Sequence, residues 1–176
     1  MPPVYVIDVC AIMDLYGFNQ ATALTQDPAA RDIAWTNLMA MIEAGEVVTV
    51  YAAKNELERR ARPCFFRLKP LFPKFVKRDS AQLIERAGDI CSVFPSLVKR
   101  MDMLSSDREP ADPYIIAYAE INDVTVITDE LQKEDRSQNN KSGDRIPDVC
   151  DALGVEWLYL RDFAAIVNLL QPPSDC

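Results

Sequence analysis

Short apolar runs alternate with longer amphipathic stretches along this chain. Val4-Tyr5-Val6-Ile7 is rich in β-branched residues and stops at Asp8, so it predicts a buried strand. Residues 28–44 predict a helix, with Asp27 as its cap, Pro28 at its first position, an Ile33, Leu38, Met41 and Ile42 stripe, and Gly45 at its end. Val47-Val48-Thr49-Val50-Tyr51 predicts a second strand, followed by a helix over Ala52 to Ala61. Residues 63–100 read as helical pieces broken by Pro63, Pro70, Pro73 and Pro95. The stretch 102–111 is polar and loop-like. Asp112-Pro113 then opens a helix, with Asp112 as N-cap and Ile115, Ile116 and Ala119 on its apolar face. Val124 to Thr128 predicts a third strand and Val155 to Leu160 a fourth. Between them lie a polar loop (132–147) and a helix from Pro147-Asp148 to Gly154. A last helix, Asp162 to Leu170, ends before Pro172-Pro173.

Strands alternating with helices predict an α/β fold with a mainly parallel central sheet flanked by helices. A length of 176 residues fits one domain, here 1–171 with a short tail at 172–176. In such a sheet, ligands bind outside the carboxyl ends of the strands. Asp8 follows the first strand and Asp129 the third. Glu56 lies a turn into the helix after the second, and Asp112 and Asp148 open helices. All five acids are therefore expected at one edge. Each has a plain alternative: a first-turn acid suits the helix dipole, and Glu58 competes with Glu56. Two helical residues that close in sequence face different directions, so at most one of that pair belongs to the site.

Composition narrows the chemistry. Histidine is absent, which excludes Ser-His-Asp and Cys-His catalysis and His-ligated zinc. Five cysteines without a CxxC pair argue against a zinc cluster or a disulfide framework and for reduced thiols in the cytoplasm. The first residues show no basic leader, and no apolar run is long enough to predict a membrane span. The net charge of −8 disfavours nucleic acid as a partner, but its distribution does not. Residues 54–78 hold nine basic side chains, Lys54, Arg59, Arg60, Arg62, Arg67, Lys69, Lys74, Lys77 and Arg78, against only Glu56 and Glu58. Such a segment suits a phosphate backbone, and equally a solvated helix surface.

Several carboxylates held together repel unless they are protonated or neutralised by a cation. Oxygen ligands without imidazole suit Mg²⁺ or Mn²⁺. Carboxylate-held Mg²⁺ or Mn²⁺ suits phosphodiester hydrolysis and needs no histidine base.

Three stretches then look familiar. Val4 to Asp8, Ala111-Asp112-Pro113-Tyr114-Ile115-Ile116-Ala117-Tyr118-Ala119, and Thr125 to Glu130 resemble the PIN-domain nucleases. Ile146-Pro147-Asp148-Val149-Cys150-Asp151-Ala152-Leu153-Gly154-Val155 is similar to the tail of a bacterial PIN branch of unassigned function. The resemblance runs from residue 4 to about 167 and is weak over 63–105. It implies a three-layer α/β/α fold and a metal-dependent endoribonuclease. Many relatives are VapC-like toxins of toxin–antitoxin modules, which implies an antitoxin partner. By motif position, Asp8, Glu56, Asp112 and Asp129 would be catalytic and hold Mg²⁺ or Mn²⁺, with Asp148 supplementing or replacing Asp129. Lys54, Arg59, Arg60 and Arg62 would bind the RNA substrate. The family usually follows its first Asp with Thr or Ser and then Asn; here Val9 and Cys10 stand there.

That departure motivates a second reading, a catalytically degenerate PIN-fold module that binds RNA or a protein without cleavage. Aspartyl-phosphate chemistry fits poorly, because Cys10 occupies the place of the second Asp a haloacid-dehalogenase phosphatase needs. Phe65, Phe66, Leu68, Phe72 and Phe75 suit either the core or a partner surface, and self-association as a homodimer stays open.

Overall fold

The computed structural model describes residues 4–97, 110–138 and 143–172. Five parallel strands form one sheet: β1 (Tyr5–Ile7), β2 (Val47–Val50), β3 (Val76–Lys77), β4 (Thr125–Thr128) and β5 (Trp157–Tyr159), in the order β3-β2-β1-β4-β5. Tyr5 is level with Val47 on one side and with Thr125 on the other, and Val126 with Trp157. All four residues of β2 are buried, as are Val6 and Ile7 of β1, which requires cover on both faces of the sheet.

Helices α1 (Val9–Tyr16) and α2 (Pro28–Ala44) join β1 to β2. From β2 the chain enters α3 (Tyr51–Arg60) and α4 (Arg62–Leu68). A 3₁₀ turn (Lys69–Leu71) and α5 (Phe72–Phe75) lead to β3. Helices α6 (Ala81–Val93) and α7 (Asp112–Asn122) precede β4, α8 (Ile146–Leu153) precedes β5, and α9 (Leu160–Ile166) follows it. Helix α7 packs on β1, β2 and β4 and is itself covered by α6 and α8. The protein is thus a parallel sheet between helical layers.

The chain runs outward from β1 through β2 to β3, then returns to place β4 on the other flank of β1. The switch point lies between β1 and β4, where the carboxyl ends of neighbouring strands lead away in opposite directions. Asp8 stands at this point.

Most predicted elements are present, with shifted ends. Tyr51 begins α3 instead of ending β2, and α9 starts two residues before Asp162 and ends at Ile166. Ala111, not Asp112, is the N-cap of α7, so Asp112 is its first helical residue. In the segment 63–100, Pro63 and Pro73 sit in the first turns of α4 and α5, where a missing N–H is harmless, so they start helices rather than break them. Two elements had no counterpart in the sequence reading. Helix α1 is buried at Val9, Ala11, Ile12, Asp14 and Leu15, too many faces to show an amphipathic period. Strand β3 has only two residues, lying beside Thr49 and Val50. Of the polar stretch 102–111, only residues 110 and 111 are described, and residues 139–142 of the polar loop and most of the tail also lie outside the described residues.

Candidate active site

Asp8 directly follows β1 and caps α1. Its Oδ1 accepts from the Val9 amide at 2.6 Å. Its Oδ2 accepts from the Cys10 thiol at 2.6 Å and from the Thr128 hydroxyl at 3.2 Å. The Cys10 sulfur accepts in turn from the Asp129 amide at 3.3 Å, so one thiol ties the end of β1 to the end of β4. Asp8 is 4% exposed. Burial, then the Glu130 carboxylate and more weakly Glu56, push its pKa up to about 7 against the opposing pull of the Cys10 and Val9 donors. Burial also pushes the Cys10 thiol well above 9.0, with Asp8 and Glu130 adding to it. Cys10 therefore stays protonated and acts as a donor.

Glu56 comes from α3, directly after β2, the parallel neighbour of β1. Ala52, Ala53, Glu56 and Leu57 form the buried face of that helix. Glu56 is 3% exposed, whereas the Glu58 side chain is 51% exposed and pairs with Lys54 at 3.6 Å. The packing selects Glu56. Its Oε1 accepts from Arg60 Nη1, and its Oε2 is buried with no hydrogen-bond partner among the described residues. Burial lowers the Arg60 pKa, but the ion pair with Glu56 and the charges of Asp8 and Cys10 carry it above its ordinary value.

Asp112, buried at the start of α7, reaches the same edge of the sheet. Asp129 does not join Asp8. Its carboxyl is turned to Asp14 of α1, with which it shares a hydrogen bond, and burial and that pair push it up to about 7. It lines a separate cavity of about 160 Å³ with Leu131, Asp135, Tyr159, Arg161 and Asp162. The acid facing Asp8 from the end of β4 is Glu130, whose Oε2 accepts from the Ile146 amide at 3.2 Å. The strand ends at Thr128, and the Glu130 amide donates to the Thr128 hydroxyl at 3.2 Å, so the chain turns here and strand position alone does not say which acid faces Asp8.

Asp148 is committed elsewhere. Its Oδ1 accepts from the Lys133 amide at 2.8 Å, and its Oδ2 from the Arg145 amide at 2.9 Å and from Arg136 at 2.5 Å. It caps α8 and clamps the preceding loop, which explains an acid at that place without a metal.

The basic segment is similarly divided. Lys54 pairs with Glu58 and lies over the Tyr51 and Phe65 rings at 5.1 and 5.6 Å. Arg60 is held by Glu56, a role its place in a basic run concealed. Arg59 and Arg62 are exposed and have no ion-pair partner among the described residues. Phe65, Leu68 and Phe75 are buried, whereas Phe66 is 62% exposed.

Buried carboxylates directly after β1 and in the helix after β2 stand at the carboxyl edge of a parallel sheet, the architecture of an α/β protein with acidic side chains at its strand ends. The family pattern DUF4411, a domain of unknown function, matches residues 6–167, and the chain belongs to that family. A search of curated proteins finds no match. Among solved structures, the chain is similar to the crystal structure of VapBC2 from Rickettsia felis bound to a DNA fragment from their promoter. That alignment covers 89% of this chain and 98% of that chain, at 12% identity and a TM-score of 0.47. No helix among the described residues is long and apolar enough to cross a membrane.

A hard divalent cation matches the donor chemistry here, since the donors are carboxylate oxygens and Glu56 Oε2 is orphaned. Among the described residues, no three acidic or thiol side chains stand close enough together to enclose a metal ion.

Proposed function

We propose that this protein is a Mg²⁺- or Mn²⁺-dependent endoribonuclease of PIN type, acting as the toxin of a toxin–antitoxin module. The observation that carries the reading is the buried Glu56 Oε2, which has no partner among the described residues, at the same sheet edge as a buried Asp8 on which its charge acts. Two carboxylates in one dry site, one with an unpaired oxygen, fit a cation better than they fit a packed core. Asp8, Glu56 and Asp112 would hold the ion, with Glu130 adding negative charge from β4. When bound, such an ion lowers the pKa of water and neutralises charge on a phosphodiester.

The chain's own residues do the positioning. The Val9 amide, Cys10 thiol and Thr128 hydroxyl fix the Asp8 carboxylate in one orientation. Burial of Ala52, Ala53 and Leu57 fixes the face on which Glu56 stands. Arg59 and Arg62, exposed on α3 and α4, would attract the RNA backbone and confer salt dependence on binding. The exposed Phe66 would belong to an antitoxin contact.

The second reading, a PIN-fold binding module without cleavage, is favoured by the Arg60 contact to Glu56 and by the lack of three converging ligands among the described residues. Cleavage of RNA by purified protein in Mn²⁺, Mg²⁺ or EDTA, beside Asp8→Asn, separates the two. Metal-dependent cleavage lost in the variant supports the nuclease. RNA binding without cleavage by folded protein supports the binding module.

A further inference from the structure

Glu56 and Arg60 form an ion pair one helical turn apart, with unequal surroundings. The carboxylate is almost wholly buried, while the Arg60 side chain is 51% exposed. Only Oε1 of Glu56 is met; Oε2 is buried and orphaned. The guanidinium thus closes on the acid from the solvent side, at the last residue of α3, and lies within electrostatic reach of Asp8. A buried carboxylate satisfied at one oxygen stays poorly compensated. A small cation that met both Glu56 Oε2 and Asp8 would satisfy more oxygens than Arg60 does.

We propose that Arg60 is the resident counter-ion of the Asp8–Glu56 site, and that a divalent cation enters by exchange, releasing the guanidinium from Glu56 into solvent. This deepens the metal-dependent reading above and rests on it. The exchange places Arg60 on the competing side of metal binding, opposite to the role its position in the basic segment suggests.

The test is Mn²⁺ binding to metal-free protein, followed by the electron paramagnetic resonance of free Mn²⁺. Arg60→Gln binds at least about tenfold more tightly than wild type, because a competing charge beside the site has gone. Arg60→Lys, which keeps the charge, stays closer to wild type. Lys74→Gln, which removes an exposed charge of the same segment that lies before β3 and pairs with Glu43, changes affinity less than about twofold. A second measurement uses the wild type alone. The Arg60 Nη–H resonance that donates to Glu56 is protected from exchange without metal and loses that protection as Mg²⁺ is added. Unchanged or weaker Mn²⁺ binding by Arg60→Gln, or an Arg60 resonance indifferent to Mg²⁺, overturns the exchange. If wild type nevertheless cleaves RNA in a metal- and Asp8-dependent way, the nuclease reading stands without it. If neither wild type nor Arg60→Gln binds Mn²⁺, the exchange and the metal-dependent reading fall together.

Discussion

The carboxyl groups of Asp14 and Asp129 are hydrogen-bonded to each other across the gap between α1 and the end of β4. Two carboxyls share a hydrogen bond only with a proton between them. Burial and this pairing raise Asp129 from 3.8 to about 7, so the folded protein binds a proton that the unfolded chain releases above pH 4. Stability supplied by that proton is present below this range and is lost as pH rises through about 7. In EDTA, the melting temperature therefore falls between pH 5.5 and 8. Asp14→Asn puts an amide donor where the proton was, while its side-chain oxygen still accepts from Thr22. The expected result by calorimetry is a shallower fall, with a gain of a few degrees at pH 8. An equal loss at both pH values would contradict the shared proton.

Asp8 obeys the same sign for a different reason. Burial comes first, then the Glu130 charge, and the pKa again reaches about 7. The charged form that a metal site needs is the unstable form of the empty fold. Asp8→Asn therefore raises metal-free stability at pH 8 by about 1–3 kcal/mol and changes it little at pH 5. Added Mg²⁺ raises the melting temperature of wild type at pH 8 and leaves the variant where it is. Urea titrations at the two pH values, with and without Mg²⁺, check both statements.

Arg136 and Asp148 make a buried clamp, their side chains 1% and 12% exposed. Removing one partner strands a charge, so Arg136→Ala costs about 3–5 kcal/mol. Asp148→Asn also destabilises, through lost capping of α8, yet leaves Mn²⁺ affinity within about twofold of wild type. A clear loss of metal affinity in a folded Asp148→Asn protein would return Asp148 to the ligand set.

The sheet was legible because each long strand is a compact β-branched run closed by a polar residue, and because Asp27-Pro28, Gly45 and Gly154 punctuate the helices. The same runs placed Asp8, Glu56 and Asp112 at one edge. The sequence did not show where side chains point once the runs end. Asp129 turns to Asp14 and Glu130 acts on Asp8 because the chain turns after Thr128, and a turn held by one threonine hydroxyl leaves no period in the sequence. Asp148 matched a motif whose local reason is its bond from the amide of the N-cap Arg145 and an arginine clamp. Cys10 looked like the loss of a hydroxyl and an amide, but its thiol still donates to Asp8. Arg60 read as one more surface base, since nothing in a basic run tells which cation folds back onto an acid four residues earlier. Helix α1 had no signal because it is buried on most sides.

The most direct test of the central claim is RNA cleavage by purified wild-type protein, Asp8→Asn and Glu56→Gln, in Mn²⁺, in Mg²⁺ and in EDTA. The account predicts cleavage of single-stranded RNA by wild type in either metal, none in EDTA, and none above background in the two variants, both of which remain folded. Cleavage that survives EDTA or either substitution would contradict it, as would an inert wild type that binds Mn²⁺ through Asp8.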